Sequence, residues 1–333
     1  MKLNKIQEIA YELIQSDARF IYSLIHVSQN AKNINSNYIM MCQPYIGLFA
    51  HGAEQWCRKV GFDKAPLFNE KEKEYYTLLR QSHKLFDMEY YDFSKSLVKE
   101  HQISDDYFYK MRRIREKIFG YYNVGTDLCN GKYCGNTLLC ATYSPFSYYE
   151  DSNVGPKIRE LSIIAGKLSA FFGCTDYPIY KYDDISNTVI YKDYHFYKDC
   201  PLRLKNELGL VLFSALCCVN YVTVFIEKYF IEEIPQKFKF AYLQYYYLCN
   251  FIDEINKIHN ANFYIDKSLM NREFRNCLAH YGLGQFLNEE DIVNDDLLKG
   301  LTIKAFGLDY SKSKKQLFDY LYSLEKQISE YIF

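Results

Sequence analysis

Between Glu207 and Glu227 the chain carries no charge: nineteen residues, LGLVLFSALCCVNYVTVFI, run from Leu208 to Ile226. A segment that long and apolar leaves water, either by crossing a bilayer or by filling the centre of a helical bundle or subunit contact. Ser214, Asn220 and Thr223 lie inside it, it is the one such run, and neither flank carries a strong basic anchor. It is read as a helix buried in the middle of the fold, with no membrane as partner.

The segments around it carry helical periods. Ile6, Ile9, Leu13, Ile14, Ile21 and Leu24 recur at three- and four-residue steps over 4–30. Further helices are expected over 38–60, about 69–99, about 104–120, 156–172, about 234–259 and 313–332. Glycines at 125, 131, 135 and 155 and a proline at 145 interrupt any period, so 121–156 reads as irregular. Alternation over 177–198, with Asp183–Asn187 suited to a turn, predicts a small β-hairpin. The fold class is thus mostly all-α: a helical accessory or recognition region over 1–200, and an up-and-down helical bundle over 201–333. At 333 residues the length fits two such parts.

Hydrophobic residues make up 49% of the chain and the formal net charge is −1. A core is affordable, and any nucleic acid must be held by a local basic patch rather than by a global field. The densest patch is Lys110, Arg112, Arg113, Arg115 and Lys117, which makes the last four RNA-binding candidates. Eleven cysteines occur without a signal-peptide pattern, so a reducing cytoplasm is expected rather than disulfides. No Cys-x2-Cys pair exists, and Cys129, Cys134 and Cys140 are loosely spaced, so neither metal nor cofactor is assigned.

Function is sought in Asn271–Gly284, NREFRNCLAHYGLG. On a helix, Phe274, Cys277, Leu278 and Tyr281 share one face and predict burial. Asn276 and His280 are i, i+4 neighbours on the far side, with Arg272, a further RNA-binding candidate, one turn earlier. Arg275 stands on the opposite shoulder, roughly 140° from His280. A histidine can move a proton to or from a ribose 2′-OH, and a guanidinium fork matches phosphate oxygens. Near the helix C-terminus the dipole favours an imidazolium at His280, suiting an acid role. Because the two groups diverge, a composite site is expected, with two such helices facing across the twofold axis of a homodimer.

Arg275-Asn276-x3-His280, late in a helix of an all-α bundle, resembles the Arg-x4-6-His signature of the HEPN superfamily. The resemblance covers about 201–333. It implies a homodimeric, metal-independent endoribonuclease cleaving RNA by 2′-OH attack, of the toxin–antitoxin or abortive-infection kind, with an antitoxin or phage-derived trigger as a further partner. It makes Arg275 and His280 catalytic and Asn276 a supporting polar residue, with Asp253 and Glu254 as candidate acidic residues on the preceding helix. The alternative is a non-catalytic RNA- or protein-binding module on the same bundle.

Overall fold

The computed structural model describes residues 3–30, 37–62, 68–82, 84–114, 118, 124–146, 154–173, 189–282 and 286–333. The uncharged run is the core of α7 (Glu207–Tyr229), and every residue from Leu208 to Ile226 is buried. Asn206 caps its start by accepting from the Gly209 N–H. A Cβ on Gly209 would meet the Leu204 carbonyl oxygen at 1.9 Å, so the helix can begin against that loop only with glycine there. Its last turns, Tyr221–Ile226, widen into a π-helix. Two of the polar residues inside the run donate to backbone carbonyls. Asn220 donates to the Tyr133 carbonyl at 3.1 Å, and Thr223 donates to the Val219 carbonyl at 2.9 Å.

Ahead of α7 lie α1 (Lys5–Asn30), α2 (Gln43–Lys59), α3 (Glu70–Ser82), α4 (Tyr90–Met111), α5 (Thr137–Tyr143) and α6 (Val154–Phe172). After it come α8 (Pro235–His259), α9 (Arg272–His280), α10 (Leu297–Phe306) and α11 (Tyr310–Ile332). The mostly all-α expectation holds, with one small antiparallel sheet. One apolar core runs through both parts of the chain. Across residue 201, α1 packs on α8 and α10, and α2 packs on α9.

The sheet departs from expectation. Its order is β2 (Lys132–Asn136), β1 (Val124–Cys129), β3 (Val189–Tyr194). The hairpin is β1–β2, inside the stretch read as irregular, and it turns at Asn130-Gly131, both with positive φ. Asn-Gly suits a turn in which both central residues are left-handed. The expected hairpin over 177–198 is corrected in part. Its later half is β3, paired antiparallel with β1 from Val124↔Tyr194 to Cys129↔Val189, while 174–188 lie outside the described residues.

Two helix boundaries also differ. The helix expected over 69–99 is broken by a 3-10 turn at Leu85–Asp87, and α4 restarts at Tyr90 because its backbone N–H donates to Glu254 Oε1 at 2.9 Å. Of the helix expected over 104–120, the part up to Met111 is the end of α4 and Arg112 is extended, while 115–117, 119 and 120 lie outside the described residues. Residues 288–296 lead into α10, capped by the Asp296 side chain and closed by left-handed Gly307.

Candidate functional site

Asn271 starts α9 by accepting from the Phe274 N–H at 2.9 Å. Phe274, Cys277, Leu278 and Tyr281 are buried, as the wheel predicts. The helix ends on Tyr281 itself, left-handed at φ 52°, followed by Gly282, whose N–H returns to the Cys277 carbonyl. A tyrosine in that conformation carries a strain of about 1–2 kcal/mol. Its side chain is tied down. The hydroxyl donates to Asp17 Oδ2 at 2.5 Å, and Lys239 Nζ lies 4.2 Å from the ring centroid. Asp17 also accepts from Tyr45, Gln236 and Lys239, and the Asp17–Lys239 pair is sealed from solvent.

The outer face of α9 is covered in part by α2. At Gly52 the two helices nearly touch: a Cβ there would lie 2.7 Å from the Ala279 carbonyl oxygen and 2.9 Å from the Tyr281 ring. That approach brings His51 to the motif, and α3 adds Arg80. Arg80 Nη1 is 3.0 Å from His51 Nε2, and the Gln55 amide nitrogen is 3.2 Å from the same atom. A guanidinium can only donate, so Nε2 accepts and the proton of a neutral ring sits on Nδ1. That Nδ1 is buried without a partner.

His280 is half-buried, and its Nδ1 is likewise buried without a partner. Arg275 lies over the rings of Tyr246 and Tyr247, at 5.2 and 5.6 Å, with its Nε buried and unpartnered. Among the described residues no carboxylate pairs with it. Electrostatics follow from this crowd of cations. Burial first, then the charges of Arg80, Lys59, Arg275 and Lys239, push the His280 imidazole below its ordinary range. Burial, Arg80 and His280 push His51 down to about 4. The imidazolium expected at His280 from the helix dipole is therefore corrected: desolvation and four neighbouring cations outweigh it. The carboxylate acting on His51, Glu54, is held by Arg58 and by the Tyr76 hydroxyl, each at 2.8 Å.

The other sequence candidates are distributed as follows. Asn276 is half-buried one turn before His280, and Arg272 is exposed in the first turn. Asp253 pairs with Lys267, and Glu254 caps α4, so both carboxylates are engaged outside this cluster. Arg112 follows α4 with its guanidinium over Phe108, Arg113 is exposed, and Arg115 and Lys117 lie outside the described residues. Arg19 and His26, seven positions apart on α1, also satisfy the Arg-x4-6-His spacing. Neither is among the main charges acting on His280 or His51.

Neither His51 nor Arg80 stands out by motif. The signal for His51 is a polar His51/Gln55 stripe beside Gly52 in a helix whose first two-thirds are mostly buried. Compared with models of known protein families, with curated proteins and with solved structures, the chain gives no match.

Proposed function

We propose that this chain is a metal-independent endoribonuclease of HEPN type, whose reacting groups are Arg275 and His280, completed by His51 and Arg80. The observation that carries the reading is that His51, His280 and Arg275 each keep a buried polar atom without a partner, within one cluster of cations. Buried polar atoms left unpaired are costly, and an anionic ligand that accepts their hydrogen bonds relieves that cost.

Phosphodiester cleavage suits these groups. His280, neutral at pH 7 because its affinity for protons is lowered, takes the proton from the ribose 2′-OH as that oxygen attacks phosphorus. Arg275, and Arg80 beside it, stabilise the charge gathering on the non-bridging oxygens. His51, its Nε2 occupied by Arg80, donates Nδ1–H toward one of those oxygens. The P–O5′ bond breaks, leaving a 2′,3′-cyclic phosphate, and the imidazolium returns its proton to the departing oxygen. No step requires a metal. A toxin or antiviral effector role, with an antitoxin or phage-derived trigger, rests on the resemblance of the motif.

The direct test is incubation of the purified chain with end-labelled RNA and its all-2′-deoxy counterpart in EDTA. Cleavage of RNA alone, with cyclic phosphate ends, supports the reading. Equal cutting of both strands, or dependence on added metal, sinks it. A second reading, a non-catalytic RNA-binding module, is favoured by the lack of an orienting partner on His280 Nδ1. It predicts RNA retention without turnover in the same assay.

A further inference from the structure

Apart from the α9 cluster, a second group of titratable side chains converges where the end of β3 meets α4. His101 and Asp105 are i, i+4 neighbours on α4 and so share one face of the helix. His195 follows β3 directly. One ligand atom from each of the three lies within 4.8 Å of the others, and His195 Nε2 is 3.2 Å from Asp105 Oδ1.

The surroundings hold these groups in place. The His195 N–H donates to Asp199 Oδ1 at 2.6 Å, and its carbonyl accepts from the N–H groups of Lys198, Asp199 and Cys200. The His101 ring meets the Tyr197 ring edge-on at 4.7 Å and the His195 ring at 5.6 Å. Both imidazoles are buried, while the Asp105 side chain is 36% exposed. The group therefore reaches solvent at Asp105.

We propose that His101, Asp105 and His195 form a divalent transition-metal site, with zinc as the fitting ion, that ties α4 to the end of β3. Two imidazoles and one carboxylate supply three ligands of a four-coordinate shell, and the exposed side leaves the fourth to water. Ligand atoms about 3.3 Å apart are needed for bonds of about 2.0–2.1 Å; His195 and Asp105 are already that close, and any wider separation, at most 4.8 Å, closes by side-chain rotation. Imidazole donors select against magnesium and calcium, which prefer all-oxygen shells. The site is independent of the ribonuclease reading, and no step of that chemistry passes through it.

The test uses the full chain, stripped with chelator and titrated with zinc and with cobalt(II). One zinc per chain and a rise in unfolding temperature are expected. Cobalt should give visible ligand-field bands without a sulfur charge-transfer band, displaced by zinc. His101→Asn, His195→Asn and Asp105→Asn should each lose the stoichiometric ion and the zinc-dependent rise. The wild-type cobalt spectrum decides the matter even where a variant fails to fold. No stoichiometric ion in the wild type, a thiolate band placing the ion among the buried cysteines, or unchanged binding in all three variants would overturn the proposal.

Discussion

The Tyr281 hydroxyl donates to Asp17 Oδ2 at 2.5 Å, joining the residue after His280 to the first helix of the chain. That bond, with Lys239 against both Asp17 and the ring, holds Tyr281 in its left-handed conformation and fixes the end of α9. Tyr281→Phe should cost about 1.5–3 kcal/mol, since the bond goes to a charged group. Lys239→Met should cost more, about 3–5 kcal/mol, because it strands a buried carboxylate. Denaturant titration measures both, and equal stability of Lys239→Met and wild type would contradict the role given to this pair.

The close approach at Gly52 predicts a second effect. With the Ala279 carbonyl oxygen 2.7 Å and the Tyr281 ring 2.9 Å from where a Cβ would lie, Gly52→Ala must push α2 away from α9. Overpacking of this kind costs about 1–3 kcal/mol. His51 rides on α2, so cleavage should fall further than the loss of stability accounts for. Comparing kcat/KM with the unfolding midpoint separates the two, and full activity in a stable Gly52→Ala would show that the contact is not needed to place His51.

Much of the helical frame is legible in the sequence. The run Leu208–Ile226 marks α7 by lack of charge, and Phe238 to Ile255 and Leu317 to Ile332 mark α8 and α11 by period. What escapes pattern is what distant contacts decide. The start of α4 is set by Glu254, across the fold, and no local glycine or proline announces the break before it. The β1–β2 hairpin is the opposite case. Asn130-Gly131 is a strong local turn signal, obscured by the neighbouring glycines at 125 and 135. In the site, the buried face of α9 follows from spacing, whereas His51 and Arg80 arrive only through the packing of α2 and α3. Within the chain, packing brings a further imidazole, His51, and a further guanidinium, Arg80, to the motif, which the spacing of α9 alone does not reveal.

Acid sensitivity follows from His51 and His280. Folding lowers the proton affinity of both, His51 to about 4 from an ordinary 6.5. Between those values the unfolded chain binds the proton that the folded chain refuses, so stability falls as pH drops from 6.5 toward 4 and is unaffected by these groups above 6.5. Unfolding midpoints across that window should fall less steeply in His51→Gln than in wild type. Parallel curves would show that His51 is not the group responsible. With His280 as base, kcat/KM should hold through neutrality and decline on an acid limb below 6.5.

A site assembled within one chain makes a prediction about mixtures. Arg275→Ala and His51→Ala should each be inactive, and mixing them under conditions that exchange subunits should restore nothing. Recovered cleavage would instead place the halves of the site on different chains of a homodimer.

The most direct test compares wild type with Arg275→Ala and His280→Ala for RNA cleavage in EDTA, each shown by circular dichroism to be folded at the assay temperature. The wild type should leave 2′,3′-cyclic phosphate ends, and each variant should lose about 10²–10⁴-fold in rate. Cleavage by both folded variants at the wild-type rate would contradict the roles given to Arg275 and His280.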